Sequence, residues 1–478
     1  MNNDPEQYTK DALSSLASTV TDKAPYFGSL PLHVDTFKIY FDDKNGQAQA
    51  VNTANATIEQ LNALAAACSI APFGRGAEAV VDDSYRKAGK LDLPHFAIPF
   101  EPEATALVAG IKDSVLEGKA AKRPVRFELY KLNVYGEGGF FKSHKDTPRG
   151  AAMFGSLVLV YPTTHTGGAL VFRHHGHEWV FDSAAAVHQD GAPAFGYAAF
   201  YSDVEHEVLP VTSGYRVTVT YNLYFDDAED GAEAAVAPPP ATATAFATHL
   251  QGLLDDPQFL PEGGYLGFGL RHSYPIQFTE DMSPMRRGVQ HLLDVLKGAD
   301  AIVLRAAREA GLPAQLHIAY DTKIYVGGYR GDREITALTT QVMGGDYTEY
   351  QLWQHLRAAY GAAFLWPKGH KKYQAEREVH WVTPRTGGSQ FTSVMLTYGN
   401  DPSLDYHYAE LCLLLAVGPA GDRTGKENLT VARGDEYHDW DDRDYRSDPD
   451  DYAWPAEDKK EEKNGAKNDD GSDSDPFA

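Results

Sequence analysis

The stretch that decides the fold runs from Arg126-Phe-Glu-Leu-Tyr-Lys-Leu-Asn-Val-Tyr135 to Arg216-Val-Thr-Val-Thr-Tyr-Asn-Leu-Tyr224. Between these ends lie short aromatic or β-branched segments at 155–161, 168–173, 178–182, 197–202 and 206–211. Gly, Pro and His turns divide them, and no helical period intervenes. That rhythm predicts a β-sandwich or barrel of the double-stranded β-helix (jelly-roll) kind. Arg216, Thr218, Thr220 and Asn222 fall on one face of the last segment, and Tyr215, Val217, Val219 and Tyr221 on the other. A polar face inside a barrel is unusual as core and natural as a pocket lining.

Working outward, Thr36–Phe41 alternates as a strand and ends at a hairpin-type turn. Segments 56–67 and 102–117 carry helical spacing. Residues 1–30 are polar and read as a flexible N-terminus, leaving 31–225 as one domain with its core at 126–225. The acidic run from Asp226, Pro238-Pro-Pro240 and an Ala/Thr run make 226–245 a linker by composition. Residues 246–430 read as a second α+β domain, helical at 285–312 with one break near Gly298 and at 351–360, with strands at 265–270, 378–382, 392–397 and 408–417. The fold class is therefore α+β: a jelly-roll core with flanking helices, a second α+β domain and a disordered acidic tail. That tail, 431–478, holds 17 acidic and 7 basic residues and is expected to stay disordered, with a basic partner as its one docking option.

The formal charge of −24 and the lack of a basic patch argue against nucleic acid and anionic membranes as partners. Two cysteines, Cys68 and Cys412, permit no disulfide framework and read as core thiols. No signal-like start and no long apolar run are present. The expected location is cytoplasmic or nuclear.

Three His-x-Asp pairs occur: His33/Asp35, His144/Asp146 and His188/Asp190. Such a pair means little alone, so the remaining constellation must choose. Iron(II) that activates O2 needs three protein ligands on one face. A 2-oxo acid co-substrate needs a cation for its far carboxylate. Among the 18 histidines, His206 alone has a Lys or Arg ten residues on, namely Arg216. His206 follows Asp146 by 60 residues, room for four or five short strands. His188 lies too close to His206, and His33 too far upstream. His174-His175-Gly176-His177 reads as a hairpin tip rather than a zinc site.

The element Tyr135-Gly-Glu-Gly-Gly-Phe-Phe-Lys-Ser-His144-Lys-Asp146, with His206 and Arg216, resembles the iron(II)/2-oxoglutarate-dependent dioxygenases of the prolyl 4-hydroxylase-like branch. The whole chain also resembles large fungal proteins that carry this domain. The resemblance implies His144, Asp146 and His206 as iron ligands and Arg216 as partner of the 2-oxoglutarate carboxylate. It implies Tyr135 and Thr218 as further co-substrate contacts. Fe(II), 2-oxoglutarate and O2 are the implied cofactor and co-substrates, with ascorbate as an optional reductant. The products would be succinate, CO2 and a hydroxylated substrate, either a protein or peptide side chain such as proline or a small molecule. A non-catalytic barrel that binds metal and 2-oxoglutarate as a sensor or interaction module is the alternative.

Overall fold

In the computed structural model the described residues are 5–75, 78–149, 152–188, 191–226, 241–274, 288–325, 332–342, 356, 362–365, 379–385, 398–399 and 410–424. The acidic tail, residues 227–240 of the linker and the segments expected to be helical at 351–360 and extended at 392–397 fall essentially outside them. Met1–Val431 is one compact unit.

Eight strands build the core, in chain order β1 (Val125–Tyr135), β2 (Phe140–His144), β3 (Met153–Val160), β4 (Leu170–His174), β5 (His177–Phe181), β6 (Ala194–Tyr201), β7 (Glu205–Val208) and β8 (Arg216–Phe225). They divide into two sheets, ordered β6-β3-β8-β1 and β5-β4-β7-β2. That is jelly-roll topology, with consecutive strands passing between the sheets. Strands Tyr26–Pro31, Gly89–Asp92 and Ser69–Ile70 extend the first sheet to seven, and Arg86–Lys87 extends the second to five. These additions cover edges that would otherwise present unpaired backbone groups.

Strands β6 and β8 are buried along their whole length. The apolar face of β8 enters a core with Phe127, Leu132, Leu157 and Phe195, while Arg216, Thr218 and Thr220 are buried toward the gap between the sheets. Helix α2 (Ile58–Ala67) closes on this core through Leu64, its start fixed by a reciprocal Thr57/Gln60 capping box. The helix expected over 102–117 is broken. A 3₁₀ turn spans Pro102–Ala104 and α3 runs only over Leu107–Ser114, because the Thr105 hydroxyl donates to the Pro102 carbonyl and caps the turn.

A second core surrounds a mixed six-stranded sheet. Its strands are, in spatial order, Ala363–Leu365, Asp332–Thr339, Ala314–Tyr325, Leu411–Val417, Gly264–Gly269 and Val379–Thr383. Two sequence expectations need correction here. The N-terminal 30 residues are not frayed throughout: α1 (Pro5–Ser18) buries Ala12 and Leu16 in the second core beside Phe246 and Leu250. The linker ends before 245, since α5 begins at Ala241 and runs to Asp255. Ala and Thr there supply a helix whose next turns carry Phe246, Leu250 and Leu254 on one side. Over 285–312, expected to be helical with a break near Gly298, the described residues hold a 3₁₀ turn at Gln290–Asp294 and α6 (Gly298–Glu309). Among the described residues no helix is long and apolar enough to cross a membrane.

Candidate active site

The antiparallel register of β2 and β7 sets His144 directly opposite His206. Their rings stand 4.2 Å apart, tilted by 52°. Asp146 lies two residues past the end of β2, tied there by its backbone N–H to the Ser202 carbonyl at 3.0 Å. Its Oδ1 is 3.8 Å from His206 Nε2. One ligand atom from each of His144, Asp146 and His206 lies within 4.8 Å of the other two, and all three residues are buried. This is the spacing of donors that share one ion.

Each imidazole is oriented from behind. His144 Nδ1 lies 2.8 Å from the Lys142 carbonyl, and His206 Nδ1 lies 3.0 Å from the Val204 carbonyl. Carbonyls only accept, so Nδ1 carries the proton and the Nε2 lone pair faces the cluster. Burial, with His206 adding to it, holds the His144 proton affinity well below its ordinary value, which keeps a neutral donor available. Phe141 stacks on His144 at 3.6 Å, and the Arg86 guanidinium lies 4.2 Å above Phe141 on the other side. Arg86 is itself anchored, donating to the Pro72 carbonyl and to Asn133 Oδ1, both at 2.8 Å.

Asp146 is fixed by Ser156 of β3, whose hydroxyl donates to Oδ2 at 2.5 Å. Loss of an orienting partner of this kind lowers metal affinity by about 10–100-fold. Ser156→Ala should therefore raise the Fe(II) concentration for half-maximal occupancy by about that factor with an unchanged fold, as read by metal titration and circular dichroism.

One cavity joins the triad to Arg216, Thr218 and Tyr135. Tyr135 and Arg216 are register partners across β1 and β8, and the guanidinium sits 5.4 Å above the Tyr135 ring. Arg216 is 1% exposed. Its Nε donates to the Ser183 hydroxyl at 3.2 Å, while Nη2 has no hydrogen-bond partner among the described residues. Burial pushes its pKa down to about 10. The space it occupies depends on Gly168, where an added Cβ would fall 2.7 Å from Arg216 Cδ.

All six residues expected at the site meet in this one cavity. Sequence reasoning missed Ser156, Asn133 and Arg86 as further lining or supporting groups. The one available signal was a lone serine inside the apolar run Met153-Phe-Gly-Ser-Leu-Val-Leu-Val160. The competing pairs sit elsewhere. His33 and Asp35 are exposed, His33 capping the 3₁₀ turn that contains Asp35, His188 is exposed, and Asp190 lies outside the described residues.

Residues 130–224, about a fifth of the chain, match the family model described as the 2OG-Fe(II) oxygenase superfamily. No curated protein matches the chain. Among solved structures, a Pseudomonas putida prolyl-4-hydroxylase is similar over 45% of this chain and 99% of its own, at 16% identity and TM-score 0.24. A Burkholderia pseudomallei oxidoreductase of the 2OG-Fe(II) oxygenase family is similar over 47% and 92%, at 13% identity and TM-score 0.24. A Trichoplax adhaerens prolyl hydroxylase in complex with a hypoxia inducible factor peptide fragment is similar over 47% and 95%, at 15% identity and TM-score 0.24.

Proposed function

We propose that this chain, which carries a 2OG-Fe(II) oxygenase domain at residues 130–224, is a 2-oxoglutarate- and Fe(II)-dependent hydroxylase in which His144, Asp146 and His206 hold the metal. The observation that carries the reading is the buried Arg216, whose Nη2 has no hydrogen-bond partner among the described residues, beside a buried two-histidine-one-carboxylate cluster. An unpaired buried cation is unfavourable by itself, and it is natural where a dicarboxylate binds. Iron(II) bound at the triad would supply the coordination positions at which O2, the oxidant, is activated for C–H hydroxylation at the expense of 2-oxoglutarate. The chain's own part is to present two neutral imidazoles and one carboxylate from fixed strand ends. Arg216, with Thr218 beside it, would seat the far carboxylate of 2-oxoglutarate.

For the prime substrate we favour a protein or peptide side chain, proline being the first candidate. An open groove is lined by Lys145, Arg173, His174, His175, Glu178 and Glu205 among others. Lys145 lies between His144 and Asp146 in the chain and Glu205 next to His206, and on that adjacency we assign the substrate chain to this groove. The mixed charges suit an extended polar partner better than a sealed small-molecule site.

The test is purified full-length protein with Fe(II), ascorbate, O2 and carboxyl-labelled 2-oxoglutarate. Slow release of labelled CO2 without any added substrate is expected. Tight binding of Fe(II) and 2-oxoglutarate with no release of CO2 would leave a binding module in place of an enzyme. A proteome-wide search for single-oxygen additions would then address the substrate.

A further inference from the structure

We infer that Asp22, His174 and His272 form a second metal site, built for a divalent ion such as zinc, that clamps the N-terminal segment and the second core onto the jelly roll. One ligand atom from each of the three lies within 4.8 Å of the others. The ligands come from three separate places: the segment after α1, the end of β4, and the loop after strand Gly264–Gly269. Two histidines and a carboxylate form a donor set that zinc accepts without any preferred distortion.

Geometry alone would leave an ordinary ion-pair network as an equal reading. The unpaired atoms favour the metal. Asp22 has a side chain 3% exposed and accepts from Arg271 Nη1 at Oδ2, 2.8 Å away, yet its buried Oδ1 has no hydrogen-bond partner among the described residues. His174, 8% exposed, likewise leaves Nε2 unpartnered. Burial pushes the His174 pKa down to about 2, with His272 contributing, so its ring is neutral and its lone pair available. A buried carboxylate oxygen and a buried imidazole nitrogen facing one small space are unfavourable unless something sits between them.

His272 has the backing seen behind metal-ligating histidines. Its Nδ1 lies 3.1 and 3.2 Å from the two Asp203 oxygens, which turns Nε2 toward the cluster and makes the ring a stronger donor. Burial opposes a proton on His272, but the Asp203 carboxylate outweighs it and raises the proton affinity. Room around Nε2 is kept by Gly298, where a Cβ would fall 2.6 Å from that nitrogen. The His174 and His272 rings lie 4.5 Å apart at 29°, close to the separation within the His144/His206 pair. The hairpin expected at 174–177 does exist, with His174 opposite His177. Only its first histidine turns inward, and the other two donors come from distant parts of the chain.

This site does not depend on oxygenase chemistry, and it can be tested without activity. The full chain carrying His144→Ala and His206→Ala, stripped with chelator, loaded with zinc chloride and desalted, should retain about one equivalent of zinc by elemental analysis. Adding His174→Gln, which keeps a polar side chain of similar bulk, should reduce this to below about a tenth of an equivalent, with circular dichroism unchanged. Asp22→Asn should do the same and guards against a folding artefact in the first variant. Absence of retained zinc in the His144→Ala/His206→Ala protein overturns the proposal, as does full retention after His174→Gln and Asp22→Asn. In that case His272 is simply a protonated member of the ion network with Asp203 and Lys297.

Discussion

Asp146→Ala should reduce uncoupled CO2 release from 2-oxoglutarate by at least about a hundredfold, a larger loss than removal of an orienting partner produces. Asp146 is the only anionic member of the triad, and both histidine rings are held with their proton on Nδ1 by the Lys142 and Val204 carbonyls. Without the carboxylate, two neutral imidazoles must hold a divalent cation in a buried pocket with a guanidinium in the same cavity. Charge balance and ligand count fail together. The Ser156 hydroxyl would lose its acceptor, a smaller and separable effect that Ser156→Ala measures alone. The decisive comparison pairs turnover with iron content after desalting. Both should fall in Asp146→Ala, and the circular dichroism spectrum should not change. Turnover within about threefold of wild type would mean that other residues bind the metal.

Much of this architecture is legible in the sequence, and the reasons are local. Strands β1 and β8 are long and β-branched or aromatic, so their extended period survives inspection. The triad and Arg216 are readable because strand order converts sequence intervals into proximity: β2 and β7 are neighbours in the sheet. Strand β2 itself was not expected, since Phe140-Phe-Lys-Ser-His144 is short, follows a glycine turn and lacks alternation. Helix α1 misled for a different reason. Its partners, Phe246 and Leu250, lie more than two hundred residues away, and only that contact makes Leu16 a core residue. The long strands Ala314–Tyr325 and Asp332–Thr339 pair with each other, and the first of them also pairs with Leu411–Val417, so their state is set by tertiary partners. The Asp22/His174/His272 cluster had no sequence signal at all, because none of its members shares a segment with another.

Arg216→Met should separate function from stability by moving them in opposite directions. Removing one partner of a buried charge pair costs about 2–5 kcal/mol, so the KM for 2-oxoglutarate should rise by about two to three orders of magnitude. Arg216→Lys should fall between, since it keeps the charge but loses the planar fork that matches a carboxylate. The opposite sign is expected for the protein without co-substrate. The folded state holds the guanidinium proton less tightly than the unfolded chain does, its pKa being pushed down to about 10 by burial. A cationic group shifted down destabilises the native state at every pH below that folded value, and the burden lifts only as pH rises through it. Methionine fills similar volume with no charge to desolvate, and it loses the Nε contact to Ser183 and the guanidinium's place over the Tyr135 ring. The Tm of Arg216→Met should therefore match or exceed that of wild type by a few degrees in the absence of 2-oxoglutarate. Adding 2-oxoglutarate with a redox-inert divalent ion should raise the wild-type Tm and leave the variant's unmoved. A structural arginine behaves differently: its loss lowers Tm and KM is disturbed only through misfolding. If Arg216→Met melts lower than wild type and still binds 2-oxoglutarate normally, the co-substrate carboxylate binds elsewhere, and the unpaired Nη2 loses the role assigned to it.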